Sequence, residues 1–349
     1  MTRATEPPAG IQEFCYPETM KTLLLPLCLL CALLCAPSTA QEKLVLPLDE
    51  VKALIVKAED GDAEAQYKLG MYSLFSQIAP SGYEDGLKWI RLAAEQGFAD
   101  AQVFLGLSYT GKDDKEAFEW YCKAAHQGSA AGQLGVGRCY KFGLGVRKDA
   151  KKAVSWFRKA ADQGNAEAQH SLSYHYREGI GVIKDEEEAF RWICAAANQG
   201  YPKAQYDLGI CYANGWMTPK DDKKAVIWLR KAAAQDYATA QHRLSRCYAL
   251  GEGVAEDQKE ALKWHLKAAH QGERNAAYDL GLRYANGWGV LEDWVEGYAW
   301  LSIASYHGHE TATSTKAELS KTMTPDQIGR AQLRSKEILK EIEERKAAK

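Results

Sequence analysis

The sequence predicts an all-α repeat protein built from helix–turn–helix units, because two residue types recur with one shared period. The first is a glutamine that recurs at intervals of 36, 31, 36, 36 and 36 residues. The second is a tryptophan further along each unit, with the same single short interval followed by intervals of 36. The glutamines are Gln66, Gln102, Gln133, Gln169, Gln205 and Gln241, and the tryptophans are Trp89, Trp120, Trp156, Trp192, Trp228, Trp264 and Trp300. A shared period of this length is typical of an extended repeat array.

Within one unit, small and apolar residues fall at helical spacing in two separate segments. Ala204, Leu208 and Tyr212 share one face of the first segment, and Trp228 and Ala232 share one face of the second. This spacing predicts two amphipathic helices per repeat, and no stretch of the chain shows the alternation of a strand. We expect seven repeats over residues 62–308, with an N-terminal capping helix in 41–61 and C-terminal capping helices in 309–349.

The turn inside most repeats has a regular form. Gly143, Gly179, Gly251 and Gly287 stand where the first helix ends, and such glycines accept the left-handed conformation of a helix C-cap. Asp149, Asp185, Asp257 and Asp293 precede the second helices as N-caps, and Glu188, Glu260 and Glu296 are placed to complete capping boxes. The turns lack the strand and the Lys-Ser/Thr of a phosphate loop, and they lack the acidic ligands of a calcium loop.

The N-terminal region has the features of an export signal. Lys21 precedes an apolar run over 23–35 that is too short to span a bilayer, and Ser38-Thr39-Ala40 supplies small residues for cleavage after Ala40. We expect residues 20–40 to be a signal peptide and residues 1–19 to be an extension upstream of the true start at Met20. The predicted location is the periplasm or the secreted fraction, without a membrane span after cleavage.

Composition argues against nucleic acid as a partner. The 349 residues carry a net charge of −2, with acidic and basic residues interspersed, so no basic face is predicted for a phosphate backbone.

The repeat motifs carry a family resemblance. The pattern Ala-x-Ala-Gln-x-x-Leu-Gly-x-x-Tyr, then Gly-x-Gly-Val-x-x-Asp, then Lys-Ala-x-x-Trp-x-x-Lys-Ala-Ala-x-Gln-Gly resembles the Sel1-like repeat, a relative of the tetratricopeptide repeat. Gly132, Ser173, Ser245 and Ala277 are departures from it. The resemblance implies a right-handed α/α solenoid that binds proteins or peptides, often in exported bacterial proteins.

No catalytic or metal constellation is predicted, and no cofactor is expected. The histidines show no metal-ligand spacing on one helix turn, and no serine or cysteine is tied to a base. The recurring tryptophans and tyrosines hold fixed repeat positions, which favours core packing over a binding cage. We therefore expect a protein without enzymatic activity.

The cysteines form two pairs in equivalent places. Cys122 and Cys139 are 17 residues apart, and Cys194 and Cys211 repeat this arrangement two repeats later. Each pair flanks a Gln-Gly turn between antiparallel helices, which predicts two disulfide bonds in an exported protein. The alternative is four buried free thiols, since small cysteine side chains suit helix contacts.

By analogy with tetratricopeptide arrays, the first helix of each repeat lines the concave face. Positions two before and two after the core leucine vary between repeats, as a surface that recognises a non-repetitive partner would. The predicted binding residues are Tyr67, Met71, Arg138, His170, Tyr174, Tyr206, Ile210, His242, Arg246 and Tyr278. The alternative for the aliphatic positions is packing against the neighbouring first helix.

The sequence thus predicts a monomeric, exported scaffold that binds a protein or peptide through this face. Three alternatives stay open at this point. They are a β-lactam-binding or β-lactam-hydrolysing activity, which the resemblance to cysteine-rich relatives implies, an architectural role in an envelope complex, and binding of cell-wall glycan.

Overall fold

The computed structural model of the chain describes residues 47–75 and 82–347, and every regular element in these residues is a helix. The predicted signal peptide and upstream extension lie outside the described residues. The helices are α1 (Leu48–Glu59), α2 (Ala63–Phe75), α3 (Gly82–Glu95), α4 (Ala99–Tyr109), α5 (Asp114–His126), α6 (Ala130–Phe142), α7 (Ala150–Asp162), α8 (Ala166–Glu178), α9 (Glu186–Asn198), α10 (Pro202–Asn214), α11 (Asp222–Ala234), α12 (Ala238–Leu250), α13 (Gln258–Ala269), α14 (Arg274–Asn286), α15 (Trp294–Tyr306), α16 (Ala312–Ser320) and α17 (Pro325–Ala347).

The even-numbered helices from α2 to α14 are the first helices of seven repeats, and the odd-numbered helices from α3 to α15 are the second helices. This arrangement is the α/α solenoid fold that the repeat pattern predicts. The chain divides into two compact units, residues 1–117 and residues 118–349. None of the described helices is both long and apolar enough to cross a membrane.

In the first unit, α1 packs on α2 ahead of the first repeat. Ala58, Ala65 and Leu69 are buried together, and Leu54 and Trp89 pack against them. The apolar face of α2 is therefore covered on its N-terminal side by α1, as the end of a repeat array requires.

In the second unit, the second helices α7, α9, α11 and α13 each pack on the first helix of their own repeat and on the first helix of the next repeat. The core leucine of the first helix, represented by Leu172, Leu208, Leu244 and Leu280, is 0% exposed in every one of these repeats. Alanines at the helix contacts, such as Ala204 and Ala232, are equally buried and let the backbones approach closely. Burial of apolar surface between neighbours therefore holds the stack together.

The recurring glutamine has a structural role that the repeat pattern alone does not specify. Gln205 is 5% exposed, and its Nε2 donates to the Ala197 carbonyl at 3.2 Å. Its Oε1 accepts from Gln235 Nε2 at 2.8 Å, and Gln235 also donates to the Gly200 carbonyl at 2.9 Å. The same glutamine-to-glutamine bond links the pairs Gln66 and Gln96, Gln133 and Gln163, Gln169 and Gln199, and Gln241 and Gln271. We call these bonds the glutamine ladder.

The seventh repeat lacks this bond because Ala277 replaces the glutamine. His307 stands where the earlier repeats have the outer glutamine, and its buried Nε2 has no hydrogen-bond partner among the described residues. The missing acceptor at Ala277 accounts for this unpartnered nitrogen.

The helix caps predicted for the repeats are present, but the capping boxes predicted for the repeats are not. The four predicted C-cap glycines, Gly143, Gly179, Gly251 and Gly287, all have a left-handed backbone, as at Gly179 with φ 68°. Asp185 accepts from the Glu188 backbone N–H at 2.9 Å. The prediction that the Glu188 side chain accepts from the Asp185 N–H is wrong, because this N–H donates to the Tyr176 carbonyl at 3.0 Å. The Glu188 side chain instead accepts from Trp192 Nε1 at 3.1 Å.

The tryptophans are less buried than core packing implies. Trp120 and Trp300 are buried, at 6% and 1% exposure, whereas the other repeat tryptophans are only partly buried. Lys159 Nζ lies 4.0 Å from the ring centroid of Trp156, and Lys231 lies 3.8 Å from that of Trp228. One face of such a ring packs inward, and a lysine three residues later covers it from the solvent side.

Beyond the last repeat, α16 and α17 both pack on α15. Thr324 and Gln327 form a reciprocal cap at the start of α17, since Thr324 N–H donates to Gln327 Oε1 at 2.8 Å and Gln327 N–H donates to Thr324 Oγ1 at 3.3 Å. Ile338 and Ile342 of α17 are fully buried in one cluster with Trp300. The last repeat therefore buries its open face against α17.

Candidate functional site

The structure places the predicted binding residues in two rows on the first helices. The first row, two residues before the core leucine, contains Tyr67, His170, Tyr206, His242 and Tyr278, which are all partly buried. The second row, two residues after the leucine, contains Met71, Arg138, Tyr174, Ile210 and Arg246, of which only Arg246 is exposed. We call the second row within residues 118–349 the first-helix surface: Arg138, Tyr174, Ile210, Arg246 and the equivalent Leu282.

The first row contributes to contacts between successive repeats. The rings of Tyr206 and Tyr237 are 5.6 Å apart between centroids, and Tyr278 stacks on His309 at 4.0 Å. Burial raises the pKa of Tyr206 to about 12. These side chains lie between neighbouring repeats, so only their edges remain for a partner. Packing against the neighbouring repeat, which the sequence raised as an alternative for the aliphatic positions only, therefore applies to the tyrosines of the first row.

The two histidines of this row pair with carboxylates of the next first helix. His170 Nε2 lies 2.7 Å from Asp207 Oδ2, and His242 Nε2 lies 2.9 Å from Asp279 Oδ2. The two pairs occupy equivalent positions two repeats apart. His265 of the second helix α13 approaches only the second pair, with its Nε2 at 3.6 Å from Asp279 Oδ2. Sequence spacing missed this cluster because its members come from three helices.

The second row offers different chemistry from repeat to repeat. Tyr174 lies beneath two cations, with Lys141 Nζ 5.0 Å and Arg177 Cζ 5.6 Å from its ring centroid. Arg246 is exposed, and its side chain makes no hydrogen bond or ion pair with any residue that the structure describes. Arg138 pairs with Glu167 of the next first helix. An aromatic ring flanked by cations and an unpaired guanidinium are groups that bind protein partners strongly.

Ile210 belongs mainly to the core. Together with Tyr206 it packs against the buried cluster around Leu229 and Leu244. Its substitution would therefore change stability as well as any binding, so it is a weaker probe of the surface than Tyr174 or Arg246.

A set of exposed apolar residues on the turns was not predicted as a candidate surface. Trp216 and Trp288 follow the C-cap glycines of α10 and α14 and are 50% and 57% exposed. The equivalent Ile180 is 38% exposed. Apolar residues at one turn position in several repeats are a signal that the sequence contains, but the turns were interpreted only as helix ends.

The structure contains the five described cysteines as free thiols, namely Cys122, Cys139, Cys194, Cys211 and Cys247. The predicted disulfides Cys122–Cys139 and Cys194–Cys211 are therefore not formed in it. Cys139 and Cys211 are each 1% exposed, whereas Cys122 and Cys194 are partly buried, so one thiol of each pair fits the alternative of four buried thiols. Burial raises the pKa of Cys211 to about 12, with smaller contributions that include the charge of Asp207 and of Cys194.

Comparison with known proteins defines the class and then the family. The fold and the repeated first-helix rows are those of an α-helical repeat protein. A model of the Sel1 repeat matches residues 63–98, 99–129, 130–165, 166–201, 202–237, 238–273 and 274–309, and the chain belongs to this family. Together these ranges span residues 63–309, one residue later than the 62–308 expected from the sequence.

The chain is also similar to solved structures. A Sel1 repeat protein from Oxalobacter formigenes is 30% identical, with a TM-score of 0.56, over 74% of this chain and 97% of that one. A protective antigen of uropathogenic Escherichia coli strains is 29% identical over 84% of this chain and 72% of that one, with a TM-score of 0.47. An immunity protein from Pseudomonas aeruginosa is 22% identical over 60% of this chain and 81% of that one, with a TM-score of 0.42. No curated protein matches the chain.

Proposed function

We propose that the chain is a non-enzymatic scaffold that binds a protein or peptide partner through its first-helix surface. One observation carries this proposal. The core leucine is identical and fully buried in four successive repeats, whereas the position two residues later changes from Tyr174 to Ile210, Arg246 and Leu282. A purely structural repeat has no need for this variation, and a surface that recognises an irregular partner requires it.

Tyr174 and Arg246 are the proposed principal contacts. Tyrosine and arginine are enriched among the residues that dominate binding energy, and the flanking cations suit Tyr174 to a partner that carries carboxylates. His170 and His242 contribute less in this proposal, because their imidazoles already pair with Asp207 and Asp279.

The test is a comparison of two double variants. Tyr174→Ala with Arg246→Ala removes the proposed contacts. Tyr306→Ala with Arg191→Ala removes the same residue types from exposed positions on second helices. After crosslinking and affinity purification from the native host, we expect one partner to be enriched by the wild type and by the second double variant. Loss from the first double variant alone supports the proposal, and equal loss from both contradicts it.

Export is a separate part of the proposal. The apolar run over 23–35 and the small residues before Gln41 support a secretory signal, which would place the repeats outside the cytoplasm. We also propose that the exported protein is a monomer. The alternative of β-lactam hydrolysis predicts turnover of nitrocefin by the purified protein, and our proposal predicts none.

A further inference from the structure

Three potential metal ligands converge between the sixth and seventh repeats. They are His242 on α12, His265 on α13 and Asp279 on α14, and their ligand atoms all lie within 4.8 Å of one another. Asp279 Oδ2 is 2.9 Å from His242 Nε2 and 3.6 Å from His265 Nε2. Ligands on a tetrahedral zinc ion are about 3.3 Å apart, because each bond is about 2.0 Å long, so the observed distances bracket the required separation.

The tautomer of His265 leaves a lone pair directed into this cluster. Its Nδ1 lies 3.1 Å from the Ala261 carbonyl, which only accepts hydrogen bonds, so Nδ1 carries the proton. The side chain is 3% exposed, and Nε2 has no hydrogen-bond partner among the described residues. An imidazole lone pair and a carboxylate oxygen that face each other in a buried site repel unless a cation lies between them.

The geometry points to a binding site for a divalent transition metal ion of the zinc type, held by His242, His265 and Asp279. Two imidazole nitrogens and one carboxylate are a donor set that zinc accepts, with a fourth position left for water. Calcium and magnesium require oxygen ligands, so this donor set disfavours both.

The surroundings support the same assignment. The Ala261 carbonyl orients His265, and Glu273 Oε2 lies 3.7 Å from His242 Nδ1, so each imidazole has an acceptor behind its ligating nitrogen. Such outer partners are characteristic of zinc-bound histidines.

The charged groups near the cluster leave it net negative. The charge of Asp279 acts on one nearby guanidinium, that of Arg283, whose Nη2 donates to Gln258 Oε1. Two carboxylates, Asp279 and Glu273, oppose this single guanidinium.

The chain contains its own comparison site two repeats earlier. His170 and Asp207 form the same pair, but Ile193 stands in place of His265 and Tyr201 in place of Glu273. A site with two ligands and no outer carboxylate does not select a metal. The third imidazole therefore distinguishes repeats six and seven, where the metal ion would tie α12, α13 and α14 together.

The test uses the full chain, freed of metal with EDTA and carrying no polyhistidine tag, with zinc chloride as the only probe. Calorimetry and elemental analysis are expected to show one more zinc equivalent in the wild type than in His265→Ile or Asp279→Asn. Asp207→Asn is the matched control and is expected to retain that equivalent. Zinc bound to thiols would appear equally in all four proteins.

Two further measurements keep the test decisive. Thermal melting followed by circular dichroism is expected to show a zinc-dependent rise in Tm for the wild type and Asp207→Asn, absent from His265→Ile, whose isoleucine copies Ile193. Cobalt(II) is then bound to the wild-type protein in place of zinc. The complex is expected to show the absorption bands of tetrahedral cobalt without a thiolate charge-transfer band. The assignment is overturned if the wild type takes up no zinc, which leaves a proton in the site, or if His265→Ile takes up the same amount.

Discussion

The glutamine ladder makes a quantitative prediction at Gln205. Replacement by alanine removes the bond from Nε2 to the Ala197 carbonyl and the bond that Oε1 accepts from Gln235. Alanine fits, because Ala277 holds the same position in the seventh repeat. The Ala197 carbonyl still accepts from the Gly200 N–H at 3.0 Å, and Gln235 still donates to the Gly200 carbonyl. No partner is left completely unsatisfied, so the cost is that of two net hydrogen bonds, about 1–3 kcal/mol.

Native-state hydrogen exchange is the suitable assay, because repeat arrays open in segments. The loss of about 1–3 kcal/mol in stability corresponds to roughly 5- to 160-fold faster exchange of protected amides in α9 and α10. Gln235→Ala removes only the exposed donor and is expected to cost less. In a double-mutant cycle the two changes should couple by about 0.5–1.5 kcal/mol. Exchange in Gln205→Ala that matches the wild type, or a coupling of zero, would refute the ladder as a source of stability.

The remaining predictions concern a histidine, the thiols and the N-terminus. His175 is 1% exposed, and burial lowers its pKa below 6.5, so the unfolded state binds the proton more readily and stability falls as the pH drops below 6.5. His175→Cys, which copies Cys139 and Cys211, should reduce this dependence by at most about 1.4 kcal/mol per pH unit in urea unfolding; an unchanged slope would contradict the buried neutral state. Alkylation at pH 8 should leave Cys211 unmodified in the native protein and modify all five described cysteines in denaturant without reductant, whereas modification of a single cysteine would establish the disulfides. Mass spectrometry of the protein from the extracytoplasmic fraction of its host should find Gln41 as the first residue, and an intact residue 1 or 20 there would argue against cleavage.

The sequence predicts the fold well because the repeat multiplies each local signal. One αL glycine or one aspartate cap is a weak indication, but the same residues at one spacing in several copies determine the helix ends. The prediction of capping boxes in the repeats was wrong for a local reason. The Asp185 N–H already donates to the Tyr176 carbonyl, so Glu188 is left to bind Trp192.

The candidate sites are harder to predict because they depend on contacts between repeats. The repeat period shows that His242 and Asp279 occupy positions equivalent to His170 and Asp207. It does not show that each histidine contacts the aspartate on the neighbouring first helix. His265 interrupts the pattern, since its equivalent is Ile193, and only the packing of α13 against α14 places it beside Asp279. The aromatic first row likewise proved to contact the next repeat, which periodicity does not distinguish from exposure.

Site-specific photo-crosslinking tests the proposed binding surface most directly. A benzophenone amino acid is placed at Arg246 on the first-helix surface, and in a separate protein at Ile227, which is 51% exposed on the second helix α11. After irradiation in the native host, we expect one discrete protein adduct from position 246 and none from position 227. Adducts of the same size and yield from both positions, or an adduct from position 227 alone, would contradict partner binding through the first helices.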